Sequence, residues 1–237
     1  MGDVVWAQVR SDAGRLVDRP VSELRQVRLE RHEPVWQPER YRGRRAIATW
    51  WRLADQARLV GCGTLQVREA ALSLEFDPQV VTFAAWPVRL SWAGSAPSCV
   101  PDFFVRMADG QAMLLMCRPG DGTGRWAQAQ ELLQAAGRQA GWRVRVHDGV
   151  EDAVVGRNRQ RLSRWRHTRL RDAETERILQ QVFARPQPFA EGIRASGLPE
   201  LPTVARALHL IWSRGLLIDW TQPFVPAHSL VWSMGAR

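Results

Sequence analysis

Apolar and polar residues alternate from Val4 to Val9, the period of a half-buried strand, and Asp12-Ala13-Gly14 ends it. From Pro20 to Glu39 charge falls at nearly every second or third place, with Pro34 and Pro38 as breakers. This predicts a solvated strand-and-loop arm, with a DNA-contacting arm as the alternative. Thr64 then caps a helical run, LQVREAALSL, in which Leu65, Leu72 and neighbouring Ala residues make an apolar face. The stretch Gln79 to Trp92, rich in Val and aromatic residues around Pro87, predicts a strand, a turn and a second strand.

Two further strands, Asp102 to Met107 and Gln111 to Cys117, are joined at Asp109-Gly110, a dipeptide that tolerates the positive φ of a tight hairpin. A GDGTG loop follows, without the G-K-[ST] ending of a phosphate loop, so it reads as a linker. Trp126 to Ala140 has helical spacing stopped by Gly141, and Trp142 to Val146 alternates again as a returning strand. Helix then strand after a hairpin is what a mixed α/β domain needs to cover its sheet.

Near residue 150 the character changes, which divides the chain into 1–150 and 151–237. Arg157, Arg159, Arg161, Arg164, Arg166 and Arg169 crowd one segment, read as a solvated connecting helix or a DNA-backbone contact. Helices are then predicted over Asp172 to Ala184, Pro188 to Ala195 and Pro202 to Arg214. The last has Val204, Ala207, Leu208 and Ile211 inward and Arg206, His209 and Ser213 outward. Leu216 to Trp220 and Ser229 to Trp232 read as two closing strands. Three helices and a hairpin is the order of a winged helix, which serves DNA or docks a protein; Arg206 and His209 are its candidate DNA contacts.

Composition changes this picture in one respect. The formal charge is +9, all 33 basic residues are Arg, and a pI near 11 implies an acidic partner, of which duplex DNA is the commonest. Absence of Lys and a single Asn, Asn158, read as a GC-rich coding bias, with selection for guanidinium as the alternative. Arg42, Arg44 and Arg45 form a compact basic cluster, a candidate phosphate contact. Trp50-Trp51 reads as core, with a base-stacking surface as the alternative. Cys62, Cys99 and Cys117 lack disulfide or zinc spacing, and the five His residues form no cluster. With no leader pattern and no long apolar run, the expectation is a soluble cytoplasmic protein.

The hairpin opened by Pro101-Asp102 and closed by Met116-Cys117-Arg118 resembles the PD-(D/E)XK nuclease core. In that core an Asp and an acid on the adjacent strand hold Mg²⁺ beside a Lys. The ordered set Leu74-Glu75-Phe76-Asp77-Pro78, Pro87, Leu90-Ser91-Trp92, Pro101-Asp102-Phe103-Phe104, Asp109-Gly110 and Arg118-Pro119 is similar to TnsA-type endonuclease subunits of heteromeric transposases, particularly those of high-GC actinobacteria. The likeness extends over roughly Arg40 to Val146. It departs at Val67, where the helix Glu is expected; at Trp86, where Gln is expected; and at Met116, where the hairpin acid is expected. The resemblance implies a restriction-endonuclease-like mixed sheet flanked by helices, with Asp102 and Arg118 as the remnants of the catalytic site.

With one acid in place, Asp102 supports Mg²⁺ only weakly, and Arg118 cannot surrender a proton as Lys can. The first expectation is therefore a catalytically degenerate subunit of a transposase-like or mobile-element assembly. It would need no cofactor and would act through DNA and through partners of the TnsB integrase and TnsC AAA+ kinds. The alternative is a working Mg²⁺ endonuclease that nicks element ends, recruiting Glu69, Glu75 or Asp77 as replacement acid. A winged-helix regulator that has kept an older N-terminal domain is the third reading. The Trp-rich surfaces leave homo-oligomerisation open.

Overall fold

The structure, a computed structural model, describes residues 4–39, 46–54, 56, 58–93, 98–120, 124–149 and 152–234. The chain divides into two compact units, residues 1–53 with 58–150 and residues 54–57 with 151–237. The Arg42, Arg44 and Arg45 cluster and most of the GDGTG loop lie outside the described residues. No helix among the described residues is long and apolar enough to cross a membrane.

The first unit is mixed α/β. Strand β1 (Val5–Arg10) buries Val5, Ala7 and Val9 on one face and turns through Gly14, at φ 74°, into β2 (Leu16–Pro20). A two-stranded ribbon, β3 (Thr49–Arg52) and β4 (Leu59–Cys62), precedes helix α1 (Leu65–Phe76), whose first turn is capped by the Thr64 hydroxyl accepting from Val67 N at 3.2 Å. Then come β5 (Val80–Ala85), β6 (Val88–Trp92), β7 (Ser98–Cys99), β8 (Phe103–Met107), β9 (Ala112–Cys117), α2 (Gly124–Ala140) and β10 (Arg143–His147).

Two four-stranded sheets result, in the orders β2-β1-β6-β7 and β10-β9-β8-β5. The Asp109-Gly110 hairpin forms with Phe103 opposite Leu115, and β10 returns parallel to β9. A parallel return needs a crossover, and α2 supplies it. Leu132, Leu133, Ala136 and Ala140 of α2 join Val5, Ala7, Val88, Leu90, Phe104 and Leu114 in one core cluster fed by both sheets.

One expectation is corrected. The segment from Pro20 to Glu39 is not a solvated arm: its 3-10 turns Val21–Leu24 and Leu29–Arg31 bury Val21, Leu24 and Leu29, and Arg10 Nε donates to Pro34 O at 2.9 Å. Its charges hid four well-spaced aliphatic anchors, Val35 being the fourth. The strands expected either side of Pro87 form, and each joins a different sheet. Trp86 between them adopts φ 51°, so the chain leaves the β8 neighbourhood and β6 pairs with β1 instead of β5.

The second unit holds α3 (Ala153–Leu162), 3-10 turns at Ser163–Trp165 and Thr168–Leu170, α4 (Ala173–Val182), β11 (Gln187–Pro188), α5 (Phe189–Ala195), α6 (Glu200–Trp212), β12 (Leu216–Leu217) and β13 (Leu230–Ser233). Asp152 and Asp172 cap α3 and α4 through their side chains. The three short strands order as β11-β13-β12, all antiparallel. Strand β11 escapes a sequence reading because it is two residues long and one is Pro.

Here α3 is no free connecting helix. Asn158 is buried, donating through Nδ2 to Trp220 O (3.0 Å) and Gln222 O (2.8 Å) while its Oδ1 accepts from Phe224 N (3.0 Å). The only Asn of the chain thus clasps the loop before β13. Gly192 of α5 lies against Phe183, where a Cβ would sit 2.2 Å from the ring. Phe183 is fully buried and its ring has nowhere to retreat. Gly192→Ala is expected to lower the unfolding free energy by roughly 2 kcal/mol in urea titration, with Phe183→Leu in the same chain recovering part of the loss.

Candidate functional site

The hairpin places Asp102 just ahead of β8, where its carboxyl end turns inward toward the last residue of β9. Its Oδ2 accepts from Cys117 N at 2.8 Å, and the Cys117 thiol and the Trp86 indole N–H also bond to the carboxylate. Burial outweighs those hydrogen bonds and pushes the Asp102 pKa up to about 6. Burial, then the neighbouring Asp102 charge, raises the Cys117 thiol, which stays protonated; burial likewise takes Cys62 of β4 up to about 12. Both thiols lie in the field of Asp102.

Strand alternation decides who shares this site. Leu114 and Met116 pack with the α2 cluster, so Cys117 lies on the opposite face of β9, the side on which it meets Asp102. Arg118 follows the α2 side: its Nε pairs with Asp148 at 3.0 Å and its guanidinium lies 5.9 Å over the Trp126 ring. The expected partnership of Asp102 with Arg118 is thus replaced by Asp102 with Cys117. Alignment by motif centred on Met116; the structure centres on the next residue.

The other candidate acids are occupied or outside. Glu75 accepts from Trp51 Nε1 at 2.6 Å, and Asp77 accepts from Gln79 N at 2.9 Å in a local turn after α1. Val67, the position read as that of the helix Glu, is buried in the core. Glu69, two residues on, is exposed, and its negative charge is felt at Cys117. A Mg²⁺ ion does not fit what is present: the Asp102 oxygens are engaged by protein donors, and its neighbours are two thiols and an indole, soft or non-ligating groups. Among the described residues no three His, Cys, Asp or Glu side chains converge as metal ligands.

The basic candidates of the second unit separate. Arg157, Arg161 and Arg164 are exposed, although Arg161 also donates to Phe224 O at 3.0 Å; Arg159 is half-buried. Arg206 is tied to Asp172 (3.1 Å) and the Thr175 hydroxyl (2.8 Å). His209 was expected to face outward and does not. It is 2% exposed, with its Nδ1 2.7 Å from Trp165 O, because α3 and the Ser163–Trp165 turn cover the C-terminal half of α6. Every residue from Ala207 to Trp212 is buried.

Sequence reasoning missed Cys117, Cys62 and Trp86 as neighbours of Asp102. Trp86 was visible only as a departure from a motif. No protein-family model matches the chain, and no curated protein matches it.

Proposed function

We propose that this chain is a nuclease-fold subunit that binds duplex DNA without cutting it, within a transposase-like or mobile-element assembly. The order α1-β5-β8-β9-α2-β10, with the sheet β10-β9-β8-β5 and only its β10–β9 pair parallel, supports a restriction-endonuclease-like core. One observation carries the catalytic part of the reading. The position beside Asp102 is filled by Cys117, whose main chain and thiol both bond to the carboxylate that a metal would need. A +9 charge supports the binding part.

The second unit follows helix, strand, two helices and hairpin, the order of a winged helix, with α3 laid over its third helix. With the C-terminal half of α6 buried, only its first turns are left to face a groove, which favours protein docking for this unit; an AAA+ regulator of the TnsC kind and an integrase of the TnsB kind are the partners the reading names. The exposed Arg157, Arg161 and Arg164 remain available for phosphate.

The test is cleavage of supercoiled and linear duplex with Mg²⁺ or Mn²⁺, beside a gel shift on the same DNA. The expected result is a shift that weakens as salt rises, with no cleavage, and an unchanged shift for Asp102→Ala. Metal-dependent cleavage lost in both Asp102→Ala and Glu69→Gln would overturn it in favour of a rebuilt nuclease site, because Glu69 is the acid whose charge reaches Cys117.

A further inference from the structure

We propose that a cavity of about 210 Å³ walled by Trp50 and Trp86 is a stacking site for one unpaired nucleobase, an inference that rests on the nucleic-acid reading above. Gly61, Thr49, Gln37 and Pro38 complete the walls. Trp50 and Gly61 are cross-strand partners in the β3–β4 ribbon, and both indoles meet over this glycine. A Cβ on Gly61 would sit 2.4 Å from the Trp86 ring, so only glycine leaves room for that ring against the strand.

Trp86 is held there against its backbone preference. At φ 51° it occupies a region that bulky side chains rarely adopt, and such strain persists only where surroundings enforce it. Its N donates to Asp102 O at 3.2 Å, its O accepts from Val35 N at 2.8 Å, its indole N–H donates to the Asp102 carboxylate, and Trp36 meets it edge-on at 5.2 Å. The indole is thereby fixed before any ligand arrives. Trp50, by contrast, is 46% exposed on a two-stranded ribbon, a large apolar ring left toward solvent.

The walls select the ligand. The Trp50 indole offers a π-face to a flat ring, the buried Trp86 closes the cavity behind it, the Gln37 amide carries both a donor and an acceptor for a base edge, and the cavity has room for one base. Arg52 stands two residues from Trp50 on the same face of β3, where its charge suits a phosphate and opposes a cation. That argues against a quaternary-ammonium cage, the other use of clustered Trp.

The experiment uses the full chain with two DNAs, a blunt duplex and the same duplex carrying one unpaired 2-aminopurine, read by 2-aminopurine fluorescence and by anisotropy of a distant label. Wild type is expected to quench the unpaired probe. Trp50→Ala should lose the quench and bind that DNA about tenfold more weakly, Trp50→Phe should retain both, and all three should bind blunt duplex alike. Equal affinity and quench in Trp50→Ala would overturn the stacking site while leaving duplex binding intact. Relief of the quench by choline would assign the cavity to a cation instead. Failure of wild type to bind either DNA would remove the nucleic-acid reading itself, and the stacking site with it.

Discussion

Asp102→Asn is expected to stabilise the folded chain at pH 8 by up to about 3 kcal/mol and to change nothing near pH 4. The carboxyl group titrates near 6 in the folded chain against 3.8 in a free chain. Between those values the unfolded chain has lost a proton that the folded chain keeps, so stability falls as pH rises from about 4 to 6. Above about 6 both states are ionised, and the whole burial penalty is present; the gap corresponds to about 3 kcal/mol. Asn removes the charge, keeps the size, and leaves one oxygen to accept from Cys117 N–H and the Trp86 indole. Urea unfolding of both proteins at pH 4 and pH 8, with and without Mn²⁺, measures this. A variant no more stable than wild type at pH 8, or a wild type that Mn²⁺ stabilises and the variant that it does not, would mean that the ionised carboxylate has a partner.

Much of the first unit was legible because its signals are local. The Asp109-Gly110 hairpin, the Thr64 cap and the Gly141 stop each depend on a few adjacent residues, and each element stands where they place it. What failed was long-range. Pro20 to Glu39 looked solvated because its charges are dense, yet four aliphatic side chains and a buried Glu30 decide its fate. In the same way His209 falls on the polar side of a helical wheel, but a wheel knows one partner surface, and α6 has two.

The site was half legible. Asp102 is marked by its place before a hairpin strand, whereas its partner depends on which face of β9 each residue takes. A motif read as Met116-Cys117-Arg118 assigns the acid position to Met116; the pleat assigns the Asp102 face to Cys117. One residue of phase therefore moves Arg118 from the site to the α2 side, next to Trp126 and Asp148. Trp86 could not have been found by pattern, since its role comes from an unusual φ that no propensity foretells.

Glu30→Ala is expected to cost about 3 kcal/mol of folding stability, the largest loss expected of any substitution considered. The Glu30 side chain is 5% exposed, and Arg106 of β8 grips it with a two-pronged fork, Nε to Oε1 at 3.3 Å and a terminal nitrogen to Oε2 at 3.1 Å. The carbonyl of the same Glu30 accepts from Arg58 at 2.6 Å, and Arg58 reaches on to Phe83 O. Three segments distant in sequence are therefore joined at one carboxylate-bearing turn. Removing the carboxylate leaves Arg106 charged in a nearly dry site, for which losses of about 3–5 kcal/mol are typical. The lower end applies because Arg106 keeps 19% exposure and hydrogen bonds to Gly110 O and Val27 O. If the cost lies in the stranded charge rather than in lost volume, Arg106→Leu added to Glu30→Ala should restore part of it, and a double-mutant cycle in urea separates the two. A single variant within 1 kcal/mol of wild type would return Pro20 to Glu39 to the solvated arm that its charge pattern suggests.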